Sequence, residues 1–340
     1  MASLVCVLTT IQEPTACVRG LCETLEKISA RVVVIGDKKG PSRFESPTAD
    51  FISLQDQYKL PFKLAKLLPT GHYSRKNLGY LLALGREAAC IYETDDDNAP
   101  LSHWAPRSER VDAQPVQPRP WLNVYRLFKD ELIWPRGFPL DCVRDPETYR
   151  HDARSAPKNV LAPIQQGLAN DAPDVDAIWR LLLDHPVDFD AGPSVWLPPG
   201  TCCPFNSQTT WWWPVAYPLM YLPSFCSFRM TDIWRSFIAQ RCIWELGYGL
   251  VFHGAEAYQL RNTHNLLRDF KDEVSGYLTN QEIVTRLNEC KLAPGRENVG
   301  ENLRRCYQTL IDARILPVEE MALVNAWLDD VASAPSLASA

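Results

Sequence analysis

Several features that decide the class of a protein are scarce or missing from these 340 residues. No apolar run approaches the ~20 residues needed to cross a bilayer, so no membrane-spanning helix is expected. Positive charge is not in excess: 35 Lys and Arg against 41 Asp and Glu leave a formal charge of -6. That balance does not supply the cationic face on which nucleic acid binds. No CxxC pair occurs among the 11 cysteines, which removes the usual frame for structural zinc. Single thiols scattered through strand-like and helix-like stretches read as reduced and buried, as in a cytoplasmic protein. With only 6 histidines, the ligand set of a metal-dependent phosphohydrolase is hard to assemble. There is no internal repeat, and Met1 to Thr10 runs directly into a strand pattern without a basic leader.

What is present is a globular composition, 46% hydrophobic and 22% charged, with 27 prolines, above the usual ~5%. Long irregular connections between regular elements are therefore expected. Leu4 to Leu8 reads as a strand, Thr15 to Ser29 as a helix carried by Val18, Leu21, Cys22, Leu25 and Ile28, and Arg31 to Ile35 as a second strand. Such a strand–helix–strand opening with short joints is a parallel βαβ unit. Asp50 to Leu54 continues as a strand, Leu60 to Leu68 as a short helix, and Ser74 to Ala88 as an amphipathic helix. Cys90-Ile91-Tyr92 is a buried strand that delivers Glu93-Thr94-Asp95-Asp96-Asp97-Asn98 at its carboxyl end, where open α/β sheets bind ligands. Ala99 to Pro120 reads as a loop, Trp121 to Tyr125 and Ser194 to Leu197 as short strands, and the chain beyond His264 as helical. One of Trp211-Trp212-Trp213 is expected exposed at a cleft.

Three successive aspartates repel one another unless a cation offsets them. In an extended segment Asp95 and Asp97 face one way and Asp96 another, so Asp95 and Asp97 are the expected ligands of Mg²⁺ or Mn²⁺ bound with substrate phosphates. Asp96 is left for the donor sugar or ribose. Ser74 reads as an N-cap, which puts Arg75 and Lys76 in a first helical turn, where cations oppose the helix dipole and call for an anion such as a diphosphate. Asp174 and Asp176 lie two apart after Pro173, either facing one pocket together or capping the helix from Ala177 to Leu183.

Tyr73-Ser74-Arg75-Lys76-Asn77-Leu78-Gly79-Tyr80 and Ile91 to Asn98 resemble segments of the STELLO glycosyltransferase-like family. So do Trp121 to Arg126, Trp134 to Leu140, Gln166-Gly167-Leu168, Pro173 to Ala177, Pro204 to Gln208, Thr231 to Arg235 and Arg261 to Asn265. The matches run in family order from about Val5 to Glu273. The resemblance implies a GT-A-like, Rossmann-type α/β fold with a mixed central sheet and a C-terminal helical region. It is divided here as a catalytic domain over 1–270, a helical extension packed on it over 271–331, and a disordered tail over 332–340. It further implies that Thr9, Thr10, Ile11 and Asp37 hold a nucleoside, that Arg75, Lys76, Asn77, Asp95, Asp96 and Arg136 contact the rest of the donor, and that His264, with His253 in reserve, completes the metal shell. Plant members are Golgi membrane proteins with further domains. This chain looks like the catalytic module alone, hence the cytoplasmic expectation.

The implied reaction moves a sugar from a nucleotide-diphosphate donor, a UDP-sugar, to a hydroxyl of a glycan or small molecule. If the transfer inverts the anomeric centre, a carboxylate must take the acceptor's proton. Asp232, just ahead of a helix from Ile233 to Leu246, is the choice, with Asp174 and Asp176 as further catalytic candidates; helix capping is the rival role of Asp232. Two other functions fit the same motifs. One is a nucleotide-sugar mutase, since Arg136-Gly137-Phe138-Pro139 resembles the Arg-Gly-Tyr-Pro segment near which the UDP-arabinopyranose mutases become glycosylated. The other is a non-catalytic binding or scaffold module. Oligomeric state stays open.

Overall fold

The computed structural model describes residues 3–46, 48–150, 156–262 and 265–334. The expected opening is present: β1 (Leu4–Thr10), α1 (Ala16–Glu26) and β2 (Arg31–Gly36). The hydroxyl of Thr15 caps α1 by accepting from Val18 N, and Cys17, Val18, Leu21, Cys22 and Leu25 form its buried stripe. There follow β3 (Ala49–Ile52), α2 (Leu54–Gln57), α3 (Lys76–Gly85), β4 (Cys90–Thr94), β5 (Asn98–Pro100) and β6 (Arg110–Pro115). Leu60 to Leu68 is not a helix; it holds only a 3₁₀ turn, Leu64–Lys66.

The middle of the chain departs furthest from the sequence reading. The segment expected as one loop after Asn98 carries β5 and β6. Trp121 makes a single bridge to Cys202 and then enters α4 (Tyr125–Phe128) instead of a strand. Next come β7 (Lys158–Leu161), β8 (Ile164–Asn170), α5 (Ala177–Leu182), β9 (Val195–Leu197) and β10 (Thr209–Trp212). The tryptophan stretch is core: Trp211 and Trp212 are fully buried and Trp213 nearly so, and none lines a cleft. β-branched and aromatic residues side by side suit a half-buried or buried strand, and β10 takes Thr209, Thr210, Trp211 and Trp212 into the middle of the sheet.

Eleven strands form the sheet in the order β3-β2-β1-β4-β10-β8-β11-β9-β6-β7, with β5 paired to β11 (Leu250–Gln259). β1 to β4 are mutually parallel where they pair, and β10 is antiparallel to both β4 and β8. The sheet is therefore mixed. The reversal at β10 sets Thr209 opposite Thr94, so the loop before β10 lies against the carboxyl end of β4. The remaining helices are α6 (Thr231–Trp244), α7 (Leu266–Glu289), α8 (Val299–Asp312) and α9 (Glu320–Ala332).

One continuous apolar cluster runs from Val5 and Ile91 in the sheet to Leu303, Trp327 and Val331 in the last helices. The C-terminal helices thus complete the core that α6 begins, and a boundary at 270 falls inside α7. Among the described residues no helix is long and apolar enough to cross a membrane.

Candidate active site at the strand ends

The chain leaves β4 in a turn, not an extended segment, with Asn98 N donating to Asp95 O at 3.3 Å. The alternation expected of Asp95, Asp96 and Asp97 is lost, and each carboxylate meets a different element. Asp95 Oδ1 accepts from Tyr73 OH at 2.6 Å and from Lys76 Nζ at 3.1 Å. Asp96 Oδ2 accepts from Thr10 Oγ1 at 2.6 Å, at the end of β1, while Thr15 Oγ1 donates to the Asp96 carbonyl. Asp97 Oδ2 accepts from Gln259 Nε2 at 3.0 Å, at the end of β11, and Oδ1 from Asn98 Nδ2 at 2.9 Å.

The three remain close enough to resist one another's ionisation. Burial, and next the charge of Asp95, push Asp97 up to about 6; burial also raises Asp96 and Asp95, the latter against the pull of Lys76. Beside them the side-chain amide oxygen Oδ1 of Asn98 is buried without a hydrogen-bond partner. Crowded carboxylates and an orphaned hard oxygen suit a divalent cation of the Mg²⁺ or Mn²⁺ type. Among the described residues no group of three or more His, Cys, Asp or Glu side chains comes together to hold a metal ion. The expected ligand His264 lies outside the described residues. Its reserve, His253, is satisfied elsewhere, with Ser194 Oγ at 2.7 Å and Gln165 Oε1 at 2.9 Å, and burial holds it well below the usual imidazole range. It is a core histidine.

Four of the expected donor contacts are corrected by their surroundings. Arg75 is fully buried, giving Nε to Gln57 Oε1 at 2.6 Å and Nη1 to the Leu68 carbonyl at 3.1 Å, with Nη2 buried and unpartnered, so it organises the loop before α3. Lys76 is equally buried and is spent on Asp95, the Thr94 carbonyl and Tyr73 OH. The basic pair compensates the fold's own acids and carbonyls in place of a ligand. Asn77 makes a reciprocal pair with Leu222, accepting its N–H at 2.8 Å and donating to its carbonyl at 2.9 Å. Asp37 accepts from Gly71 N at 2.8 Å and His72 N at 2.9 Å, and so fixes the loop that carries Tyr73. Thr9 sits in register with Ile35, and Ile11, just past β1, is 52% exposed at the rim.

Beyond Asp95 lies a second group that the sequence treated as separate residues. Arg136 Nε and Nη2 donate to the two oxygens of Asp174, each at 2.8 Å, and Nη1 and Nη2 to those of Asp232 at 3.0 and 2.9 Å. Its remaining N–H goes to the Arg229 carbonyl, so all five donors are used. Gly137, at φ 89°, lets the chain turn there against the Ile233 side chain, where any Cβ would collide. Burial raises Asp174, but the Arg136 charge and hydrogen bonds outweigh it and hold the carboxyl below the usual range. Asn206 Nδ2 donates to Asp174 Oδ2 at 2.9 Å, and Ser207 N to Asp232 Oδ2 at 3.3 Å. Asp232 is not the N-cap of α6, since the helix begins one residue earlier; it lies in the first turn. Ser207 links the two groups: its N–H donates to Asp232, and its carbonyl accepts at 3.5 Å from the Lys76 ammonium that holds Asp95.

Asp176 stands outside it. One oxygen caps α5 by accepting from Trp179 N at 2.8 Å, and the other accepts from Trp134 Nε1 at 2.6 Å. The expected catalytic role gives way to the capping one. Burial pushes Asp176 up to about 7. A carboxyl with a raised folded pKa retains a proton that the unfolded chain, near ~3.9, releases. Its share of stability therefore falls as pH rises from about 4 to about 7. We expect Asp176→Ala to cost ~1–3 kcal/mol through the lost cap and two stranded donors. Urea melts across that range should show the variant lacking this part of the pH dependence; an equal slope in both proteins would refute it.

The useful residues that the sequence did not assign are Tyr73, Gln259 and Asn206, all amide or phenol groups that reach the acids from distant strands or loops. Tyr73 and Asn206 lay within motifs already singled out; nothing in the local pattern around Gln259 pointed to it.

A mixed α/β sheet with carboxylates gathered at the end of its fourth strand is a GT-A-like arrangement. Residues 229–335 match the family model of the STELLO glycosyltransferases. The chain is 28% identical to Probable glycosyltransferase STELLO2 of Arabidopsis thaliana, across 96% of this chain and 44% of that protein. It is 26% identical to Probable glycosyltransferase STELLO1 of the same plant, across 88% of this chain and 41% of that protein. The chain is STELLO-like along nearly its whole length, and it spans less than half the length of these relatives.

Proposed function

We propose that the protein is a metal-dependent glycosyltransferase that takes a nucleotide-diphosphate sugar, a UDP-sugar, and transfers its sugar to a hydroxyl acceptor. The observation that carries this is the union, at the sheet's carboxyl edge, of the Asp95–Asp97 turn with the Arg136–Asp174–Asp232 cluster. Likeness to proteins named as probable glycosyltransferases supports the same reading.

Asp95, Asp97 and the side-chain Oδ1 of Asn98 would hold Mn²⁺ or Mg²⁺, which would offset charge on the departing diphosphate. Lys76 and Tyr73 orient Asp95 and oppose the rise that burial gives its pKa. Thr10 fixes Asp96 toward the end of β1, the side on which the nucleoside is expected. Arg136 holds Asp174 below the usual carboxylate range and positions Asp232 beside it, and one of the two takes the acceptor's proton. Both oxygens of Asp232 already accept two N–H groups each, whereas Oδ1 of Asp174 accepts one, so Asp174 has the lone pair to spare. An ion-paired carboxylate is a weak base, so the proton moves late, as the new bond to the sugar forms. The mutase reading needs a reachable Arg136 segment. A guanidinium that is 6% exposed with five donors engaged speaks against it.

Titration calorimetry with UDP and Mn²⁺ tests the assignment. We expect Asp97→Asn to weaken metal-dependent UDP binding at least tenfold, because one of two charged ligands is gone. Unchanged affinity would remove the metal from this turn, and no metal-dependent binding by the parent protein would leave the scaffold reading.

A further inference from the structure

With Lys76 and Arg136 spent on the protein's own groups and Arg75 turned into the loop before α3, two arginines beside the acids are left under-used. Arg229 gives Nε to Glu273 at 2.9 Å, and its Nη2 is buried with no partner. Arg261, just past β11, has no carboxylate within 4 Å among the described residues. Its Nη2 donates to the carbonyls of Ala172 and Pro173 at 2.9 and 2.6 Å and weakly to Gln259 Oε1 at 3.4 Å, and its Nε is buried without a partner.

Both border the site. The Arg229 carbonyl takes Arg136, while Arg261 grips the residue before Asp174 and touches Gln259, which holds Asp97. Burial, then the charge of Arg180, bring Arg261 down to about 10; Asp174 and Asp97 oppose the shift and Arg229 adds to it. Arg180 is matched by Asp269 at 2.7 Å, whereas Arg261 has only the more distant charges of Asp174 and Asp97. An oxyanion with several acceptor oxygens removes the repulsion and fills vacant N–H positions on two guanidinium forks at once.

We propose that Arg229 and Arg261 form a phosphate-binding subsite beside Asp97 and Asp174. The inference rests on the glycosyltransferase reading for the location of the donor, but the subsite itself is independent of the metal. Its phosphate has two possible sources, the diphosphate of the donor or a phosphorylated acceptor, and the chemistry of recognition is the same.

Calorimetry with three probes separates them: inorganic pyrophosphate without metal, UDP with Mn²⁺, and glucose 1-phosphate. Arg261→Gln keeps donors for the Ala172 and Pro173 carbonyls while removing the charge, and Arg229→Gln does the same beside Glu273. Thermal melts confirm that both variants fold, and Arg261→Lys, which keeps the charge, should fall between wild type and Arg261→Gln. We expect each Gln variant to bind pyrophosphate about tenfold or more weakly. A parallel loss for UDP with Mn²⁺ assigns the donor, and a loss confined to pyrophosphate and glucose 1-phosphate assigns an acceptor. Folded Gln variants that bind all three probes as wild type does would overturn the subsite. If Asp97→Asn abolishes UDP binding while these variants are silent, the glycosyltransferase reading stands and the subsite falls. The reverse pattern keeps the subsite and removes the metal.

Discussion

Glu93→Ala is expected to cost the fold ~3–5 kcal/mol, the loss that follows when one member of a buried ion pair is removed. Glu93 opens the acidic motif in the sequence, yet it is fully buried and lies one turn short of the site. Its carboxylate accepts from Arg235 Nη2 at 2.8 Å and Nη1 at 3.0 Å, from Trp212 Nε1 at 2.8 Å, and from Tyr80 OH. Alanine leaves a buried guanidinium without a counter-charge, together with a stranded indole N–H and phenol. Arg235 lies on α6, one turn after Asp232, so the loss also loosens the element that presents Asp232. Urea unfolding followed by tryptophan fluorescence should show a midpoint far below wild type. The double variant Glu93→Leu with Arg235→Met should recover much of the loss, because neither charge is then buried. A single variant within ~1 kcal/mol of wild type would mean that the pair is not a structural tie between β4 and α6.

Arg136→Met is expected to be nearly as costly at neutral pH, and its pH dependence identifies the cause. Methionine leaves Asp174 and Asp232 as two buried carboxylates, each 7–8% exposed at the side chain, with no cation between them. In the wild type Asp174 lies below the usual range. Its contribution is therefore present above the unfolded value near ~3.9 and disappears as pH falls through the lower folded value. Without Arg136, burial dominates and the sign reverses: protonation relieves the variant as pH falls. The stability gap between wild type and Arg136→Met should be ~3–5 kcal/mol at pH 8 and narrow steadily toward pH 5. A gap independent of pH would place the loss in packing rather than in the two carboxylates. Removing both charges with Asp174→Asn and Asp232→Asn in the Arg136→Met background should restore stability while leaving transfer abolished, since no carboxylate remains to take the proton.

Much of the frame was legible because it is local. The opening βαβ unit, α3, α6 and the helices after residue 265 follow from apolar spacing, and burial of Cys90–Thr94 follows from a run of residues able to fill a two-sided sheet interior. Asp95, Asp97, Asp174 and Asp232 were also singled out one by one, as was Arg136. Their pairing was not: Arg136 and Asp232 are 96 residues apart, and no local pattern states that one guanidinium will bridge two carboxylates. The same limit explains Arg75 and Lys76. Two adjacent cations at a helix start look like a surface anion site until the loop around Gln57 and the turn at Asp95 close over them.

The acidic turn itself shows where the division falls. Residue types alone determined that a cluster of carboxylates would leave the carboxyl end of β4, because three aspartates follow directly on a buried strand. Which way each carboxylate points was decided by tertiary structure. Thr10 at the end of β1 donates to Asp96, Tyr73 just before α3 and Lys76 at its start to Asp95, and Gln259 at the end of β11 to Asp97. The order β1-β4-β10-β8-β11 sets which strand ends surround the turn. Period and propensity act over a few residues and are written in the chain. The hydrogen bonds that orient a buried charge come from groups brought together only when the sheet is assembled, since burying a charge is tolerable only where such partners already wait.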